Sequence, residues 1–277
     1  MSDLEKGEHG GAGADNNIAA HRRPYNQDGP LRQPALGNEA QPVYRVQTEG
    51  RKLANPAPLG LCGFALTTFV LASINLGTRG ITHPNIVTGA AFGYGGLVQL
   101  LAGMWEIPSG NTFGATALSS YGGFWISTAI ILTPGGFNII AGLEEYGNKT
   151  FLDSFGMYLM GWFIFTFLLL VCTLRSSAAF FLLFFTLDVA FLFLGTAYLT
   201  PNQVQLAAGE PNIALLRVGG AFAMLAAWLA WYNALAGILQ PSNSFFALPV
   251  FHFPWSDKGR EQRQKVDNTK ARSAQSV

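Results

Sequence analysis

The sequence predicts an all-α membrane protein, with a six-transmembrane-helix bundle per protomer between disordered polar N- and C-terminal tails. Charged residues make up only 12% of the 277 residues, about half of what is usual in soluble proteins. Of the 17 Lys and Arg residues, seven precede Ala54 and six follow Trp255, which leaves four in the long central region. That region contains six apolar segments, and a water-soluble domain would need a more polar surface there.

The predicted tails are residues 1–54 and 251–277, on either side of a transmembrane domain at residues 55–250. The first tail is rich in Gly, Asn, Gln, Pro and Arg, a composition typical of disorder. Each apolar segment has about 20 residues, the length that crosses the apolar core of a bilayer as a helix. The segments are Pro58–Thr78, Ile86–Trp105, Phe113–Thr133, Ser154–Leu174, Ala178–Leu199 and Ile213–Leu239.

The connections between the segments are short except for Pro134–Asp153, which we expect to be a re-entrant or surface excursion. Basic residues near the spans predict the orientation, because cytoplasmic loops carry an excess of Lys and Arg. Such residues cluster before the first segment and after the last, whereas the opposite side offers Arg79 and Lys149. With an even number of spans, both termini are therefore predicted to be cytoplasmic.

Polar side chains within the spans mark candidate functional positions, since burying them in lipid is costly. Hydroxyls and amides without matching charges suit a small polar solute, such as a carboxylate, better than an inorganic cation. About half of the Ser and Thr residues are expected to bond to a carbonyl one turn back. Amides cannot be satisfied so locally and are the better candidates for lining a path. The candidate path residues are Thr67, Thr68, Asn75, Gln99, Glu106, Asn111 and Thr112.

An acidic residue, Asp188, lies near the middle of the fifth segment. Burial favours the neutral form of a carboxyl group, so Asp188 is a candidate for proton coupling or for a hydrogen-bonded contact between helices. Glu106, at the end of the second segment, is a candidate for the same coupling role. Phe64 and Tyr121 lie among small residues on segments that also carry amides, and such rings can close a narrow pore by excluding water.

A family resemblance rests on several motifs in a fixed order. The run Asn55–Leu61, NPAPLGL, enters the first segment and resembles the signature of the acetate uptake transporter family. That family includes bacterial acetate/succinate permeases and fungal acetate permeases. The WYNA run at 231–234 and the long N-terminal tail resemble the fungal branch. Further runs that resemble the family are FGYGG at 92–96, AGMWE at 102–106, GNTFG at 110–114 and SYGGFW at 120–125.

The resemblance implies six helices per protomer, assembled as a homo-hexamer in the plasma membrane with a separate path through each protomer. It implies transport of acetate and related small carboxylates, either coupled to protons or channel-like, and no cofactor. The family's hydrophobic constriction carries over to Phe64, Tyr121 and Leu187, and its small pore-lining residue to Ala230. Asp188 has no counterpart that we can place in the family pattern.

The signature also has a physical interpretation. Its two prolines remove backbone donors at the start of a helix, and a helix N-terminus favours an anion. We hypothesise that Asn55–Leu61 forms a polar vestibule that receives the carboxylate before Phe64. Unchanged acetate uptake by Asn55→Ala at low substrate would contradict this hypothesis.

Other function classes have less support from the sequence. No HExxH, nucleophile elbow or phosphate loop occurs, which argues against an enzyme, and a net charge of +1 predicts no nucleic-acid partner. Cys62 and Cys172 lie in apolar runs and predict no disulfide. Ammonium or ammonia export and acetate sensing stay open as alternatives. Ammonium export would require a cation site, for which Asp188 is the central candidate.

Overall fold

The computed structural model describes residues 53–275, with side chains described to residue 269. The predicted N-terminal tail before residue 53 lies outside these residues. The described chain is helical, and a π-helical segment at Gly93–Val98 joins the second helix to the third. The α-helices are α1 Ala57–Asn75, α2 Val87–Phe92, α3 Gln99–Glu106, α4 Thr112–Leu132, α5 Ile139–Glu144, α6 Asn148–Thr173, α7 Ala178–Leu199, α8 Gln203–Ala208, α9 Ile213–Ile238 and α10 Asp257–Gln275.

Among the described residues, six helical segments are long and apolar enough to cross a bilayer, so the predicted spans are confirmed. They are α1, the combined second span Pro84–Glu106, α4, α6, α7 and α9. The fourth span begins at Asn148 rather than at the predicted Ser154. Its first turn is polar, with Lys149 paired to Asp153 at 2.5 Å, and apolar content alone could not locate that turn.

The spans differ in how deeply they are enclosed by the rest of the bundle. In α1 and α7, 61% of the most apolar stretch is buried, against 33% in α6 and α9. α7 packs between α6 and α9, α9 also packs on α1, and α3 packs on α4. The central helices α1 and α7 are therefore well placed to line an internal path, while α6 and α9 present broad apolar faces outward.

The second span approaches α1 very closely at Gly63. A β-carbon at Gly63 would lie 2.7 Å from the Tyr94 carbonyl oxygen, so only glycine allows this contact. Thr67, one turn later, is fully buried at the same interface. Its hydroxyl donates to the Gly63 carbonyl at 2.9 Å. Small residues thus serve helix packing here, as they commonly do in membrane bundles.

The long connection predicted at Pro134–Asp153 contains the short helix α5, in which no residue is buried. The structure therefore favours the surface excursion over the re-entrant loop. The first part of the predicted Pro134–Asp153 connection is exposed, and its last six residues belong to α6.

The C-terminal region differs from the disordered tail that the sequence predicts. Residues 249–256, here called the C-terminal strap, return to the connection between α6 and α7, and α10 follows. The Ala178 N–H donates to the Phe251 carbonyl at 2.8 Å, and the Trp255 indole donates to the Leu174 carbonyl at 2.8 Å. Val250 is buried. A few apolar anchors in a charged segment are enough to order it, although its overall composition resembles that of a disordered tail.

Candidate functional site

Three cavities follow one another along α1, α4 and α7. The first cavity lies where these three helices begin, and its lining advances by one turn at a time along each helix. In α1, for example, Ala57, Leu61 and Phe64 line it. The full lining is Ala57, Leu61, Phe64, Gln99, Asn111, Phe113, Gly114, Ala117, Leu118, Tyr121, Phe180, Leu183, Phe184 and Leu187.

The second and third cavities continue the series toward the other ends of the same helices. The second is lined by Phe64, Thr68, Leu71, Ala72, Asn75, Phe124, Trp125, Leu187, Ala190, Phe191, Leu194 and Ala223. The third is lined by Leu71, Asn75, Pro84, Phe124, Thr128, Leu132, Phe155, Leu159, Phe191, Leu194, Tyr198 and Leu216. Neighbouring cavities share lining residues, so the side chains of those residues lie between one cavity and the next.

The residues of the predicted constriction meet at the boundary between the first and second cavities. Phe64 and Leu187 line both cavities, and Tyr121 closes the first cavity beside them, with its ring centroid 5.9 Å from that of Phe64. All three side chains are buried. The Tyr121 hydroxyl is fixed by a 3.0 Å hydrogen bond with Thr166 Oγ1. The structure thus brings together the three residues named from the family resemblance.

The first cavity carries an amide with no partner. Gln99 is fully buried, and neither its Nε2 nor its Oε1 has a hydrogen-bond partner among the described residues. Asn111 also lines the cavity, where it caps α4 by accepting from the Gly114 N–H at 3.0 Å. Leaving a buried amide unpaired is unfavourable, so Gln99 is a candidate for binding a polar solute.

Glu106 is fully buried near the mouth of the first cavity. A β-carbon at Gly114 would lie 3.1 Å from its carboxyl carbon, which places the carboxyl group beside the first turn of α4. Negative charge is favoured at a helix N-terminus. The residue lies outside the lining of the first cavity, so the structure places it next to the path and not on it.

The second cavity carries two unpaired donors. Thr68 is 4% exposed and Trp125 is 2% exposed, and neither Thr68 Oγ1 nor Trp125 Nε1 has a partner among the described residues. Asn75 lines both the second and third cavities. Sequence reasoning identified Thr68 and Asn75 but missed Trp125. Its position in the middle of a span was a usable signal, because tryptophan in membrane helices is usually found at the interfaces.

Four other predicted path residues lie away from the cavity linings. Thr67 bonds within its own helix, and Thr112 is exposed at the start of α4. Ala230 is buried within the core but lines none of the three cavities. Asn55 accepts from the Ala57 N–H at 3.2 Å and so caps the start of α1. Asn111 faces the first cavity, and one residue of helical advance is enough to turn Thr112 away from it.

Asp188 follows the constriction residue Leu187 and is 6% exposed. Its Oδ1 has no hydrogen-bond partner among the described residues, and its carboxyl group is close enough to Tyr121 for an electrostatic interaction. No Lys or Arg among the described residues lines any of the three cavities. Asp188 itself lines none of the three cavities, so, like Glu106, it lies next to the cavities and outside their linings.

Comparisons with known proteins agree with this architecture. Acetate permease A of Emericella nidulans is 63% identical over 236 residues, which cover 84% of this chain and 78% of that protein. Ammonia transport outward protein 2 of Saccharomyces cerevisiae is 50% identical, over 75% of this chain and 69% of that protein. The succinate-acetate/proton symporter SatP of Escherichia coli K12 is 36% identical, over 72% of this chain and 96% of that protein.

The solved structure of the bacterial acetate channel SatP superposes with a TM-score of 0.57 at 32% sequence identity, over 72% of this chain and 99% of that one. The family predicted from the signature run is thereby confirmed. The model of the GPR1/FUN34/yaaH family matches residues 36–255, and this chain belongs to that family.

Proposed function

We propose that this chain carries acetate and other short monocarboxylates across the plasma membrane through the three cavities, together with protons. The observation that carries the proposal is the series of cavities in which buried, unpaired polar groups lie on both sides of an apolar constriction. Relatives named as an acetate permease, a succinate-acetate/proton symporter and an acetate channel support it.

The proposed route begins at the capped start of α1. Asn55 and the following signature residues form the entrance, and Gln99 receives the carboxyl group in the first cavity. Phe64, Tyr121 and Leu187 then form the apolar constriction, and only a small solute can pass between their side chains. Beyond it, Thr68 and Asn75 offer the next polar contacts. Each polar group replaces part of the hydration that the solute leaves behind.

Proton coupling is assigned in this proposal to Asp188. A carboxyl group next to the constriction, with an oxygen that lacks a partner, can bind and release a proton as the solute passes. The neighbouring Tyr121 provides the link to the constriction. Glu106 is the second candidate, since it is buried beside the first cavity.

The test is uptake of labelled acetate by proteoliposomes that contain the full chain, with and without an inward proton gradient. Accumulation that depends on the gradient, and that Asp188→Asn loses, supports proton-coupled transport through Asp188. Equilibration without accumulation, unchanged in Asp188→Asn, contradicts coupling and leaves a passive acetate pore in which Asp188 is structural.

Ammonia export is the second candidate function, favoured by the similarity to ammonia transport outward protein 2. Of the described residues that line or adjoin the constriction, Asp188 is the acidic group that a cation would require. The same proteoliposomes distinguish the two functions: release of ammonia without any acetate flux would contradict acetate transport.

We further propose that the protomer forms a homo-hexamer with both termini in the cytoplasm. The broad apolar faces of α6 and α9 support membrane or subunit contacts, with side chains such as Phe167 and Trp228 at least half exposed. Protease protection of tags at the two termini tests the orientation. Cross-linking in membranes, followed by mass measurement, tests the number of subunits.

A further inference from the structure

The segment between α9 and α10, residues 239–256, is uncharged, yet it presents large aromatic side chains to its surroundings. It contains no Asp, Glu, Lys or Arg. The rings that are at least half exposed are those of Phe245, Phe246, Phe251 and Trp255. Exposed apolar groups concentrated in this way usually mark a contact with another molecule or with a membrane. The surroundings of these rings are therefore the question that the structure raises.

This segment lies level with the ends of the transmembrane helices. It leaves α9 after Ile238, and its last part, the C-terminal strap, bonds to the connection between α6 and α7. The Asn233 amide near the end of α9 donates to the Ala179 carbonyl at the start of α7, at 3.2 Å, so these helix ends lie together. The ends of spans mark the boundary between lipid and water, where aromatic side chains such as tryptophan are enriched.

A continuous series of rings connects the strap with an exposed face of α7. Phe185 and Phe181 of α7 stack with their centroids 6.1 Å apart, and Phe181 contacts Phe253 of the strap at 5.9 Å. Phe253 in turn stacks on Trp255 at 4.9 Å. Phe185 is 43% exposed and lies two turns inside its span, at a depth where the medium is lipid. The apolar surface of the span thus continues into the strap.

The backbone of Phe251 is a second, independent observation. Its φ is +52°, in the left-handed region that is unfavourable for a residue with a bulky side chain. In this conformation the Phe251 carbonyl accepts from the Ala178 N–H at 2.8 Å, while the ring stays exposed. An exposed ring in water gains nothing from burial that could offset the strain. A phenylalanine is favourable at this position if its ring enters an apolar medium.

We propose that the exposed rings of residues 245–255 insert into the interfacial layer of the bilayer and thereby hold the C-terminal strap against the ends of α6 and α7. The partner is phospholipid, because the series of rings joins the strap to an exposed face inside a span. The charged helix α10 follows directly and keeps the segment from entering the lipid more deeply. The inference requires only that the spans cross a membrane, and it is independent of the solute that the chain carries.

Substitutions at Phe251 give opposite expectations for a ring in lipid and for a ring in water. Phe251→Asn removes the ring and adopts the left-handed conformation more readily. With the ring in lipid, hydrogen-exchange protection of the Ala178 amide should fall about tenfold, because partial burial of the ring is lost. With the ring in water, the same variant should raise the protection. The measurement uses the full chain at neutral pH in nanodiscs of phosphatidylcholine and phosphatidylserine.

Two further variants serve as controls for this measurement. Phe251→Trp keeps an aromatic ring that favours the interface and should stay within about twofold of wild-type protection. Val266→Asn removes a half-exposed apolar side chain from α10 and should leave the protection of the Ala178 amide unchanged.

The location of the rings is measured with a fluorophore attached to Phe245→Cys or Phe251→Cys, in chains whose Cys62 and Cys172 are replaced by alanine. Brominated phosphatidylcholine in the nanodisc should quench the fluorophore at both positions, and iodide in the water should quench it only weakly. Val266→Cys, labelled in the same way on α10, should show the reverse pattern.

Each outcome decides for or against the lipid contact. Lower protection in Phe251→Asn, together with quenching by brominated lipid at both labelled positions, supports the anchor. Unchanged or higher protection, together with strong quenching by iodide, places the rings in water and overturns it. A fluorophore that neither quencher reaches is covered by a second copy of the protein, which also overturns it. None of these readouts depends on acetate flux, so failure of the anchor and failure of the proposed function are distinguishable.

Discussion

The first and second cavities both lie between α1, α4 and α7 and share Phe64 and Leu187, yet each takes a residue from a further helix, Gln99 of α3 in the first and Ala223 of α9 in the second. The first carries an amide, Gln99, which can both donate and accept hydrogen bonds. The second has Thr68, Asn75 and Trp125 among its lining residues, although its surface is apolar. The two sides of one constriction thus have different hydrogen-bonding residues within a common apolar frame.

This difference indicates how the path handles a carboxyl group. Neither side offers a cationic side chain among the described residues, so neither holds an anion as tightly as an arginine would. Neutral groups compensate only part of the lost hydration, which favours brief occupancy on each side. Conduction requires binding that is favourable enough for entry and weak enough for release.

The largest expected effect is that of Gln99→Leu in the first cavity. Removing an amide that makes two hydrogen bonds to acetate should raise the half-saturation constant roughly a hundredfold. The same variant should not lower the free energy of unfolding, because neither amide atom has a hydrogen-bond partner among the described residues. Uptake kinetics and thermal unfolding in detergent measure the two effects. A destabilised variant with unchanged acetate saturation would show that the amide is structural.

The next effect concerns the shared constriction. Leu187→Ala should raise the ratio of butyrate to acetate uptake about tenfold, since truncation merges the two cavities into a wider passage. The truncation should also cost about 2–5 kcal/mol of stability. Leu169→Ala is the control, because Leu169 is similarly buried in the core but lines none of the three cavities. An equal change of the uptake ratio in both variants would contradict a selective role for Leu187.

The smallest expected effect is a pH dependence of the contact between the C-terminal strap and α7, next to the first cavity. The C-terminal strap contacts the start of α7, which lines the first cavity, and His252 of the strap forms a bridge with Ser177. Burial lowers the pKa of His252, and the charge of Lys258 lowers it further. The docked strap therefore resists protonation, so docking should weaken as the pH falls below about 6.5, the ordinary value for histidine.

Other charged groups surround His252. Arg263 and Asp267 line the same surface cavity, and Arg175 pairs with Asp257 at 3.3 Å. Burial lowers the pKa of Lys258 to about 8, against the opposing effect of Glu261, so Lys258 titrates above this window. Hydrogen-exchange protection of the Ala178 amide should fall roughly threefold between pH 7.5 and 5.5. His252→Gln should abolish that fall, and an unchanged fall would rule out His252 as its cause.

The transmembrane part of the fold was predictable because uncharged apolar runs of about 20 residues are characteristic of membrane-spanning helices. All six spans are confirmed within a few residues, apart from the polar first turn of α6. The C-terminal strap and α10 were not predicted. Residues 251–277 are charged and polar on average, but the strap itself, PVFHFPWS, contains no Asp, Glu, Lys or Arg, and contacts by Val250 and Trp255 hold it against the rest of the chain. Composition averages over a segment and cannot detect such anchors.

The candidate site was predictable only in part. The expectation that buried amides lack partners within their own helix identified Gln99 from the sequence, but it fails for Asn111, which accepts from the Gly114 N–H at 3.0 Å. It fails also for Asn233, whose Nδ2 donates to the Leu229 carbonyl at 2.8 Å.

The same expectation gave no means to decide which hydroxyls face a cavity: Thr67 and Thr68 are adjacent, yet only Thr68 lines one. Thr112 and Ala230 fall outside the cavity linings for the same reason, since a single residue of helical rotation separates the inside of a bundle from its other faces.

The π-helical segment at Gly93–Val98 has a consequence for protein engineering. A π-turn amounts to one extra residue in an α-helix, and each residue of an α-helix rotates the chain by about 100°. Deletion of one glycine from this segment would restore regular α-helix and leave Gln99 facing the first cavity, because the wider π-turn accommodates the extra residue without rotating the helix that follows. Deletion of a residue from regular α-helix would instead rotate every following side chain by about 100°, so the π-helical segment is a place where the span can lose a residue and keep the same side chains at the cavity.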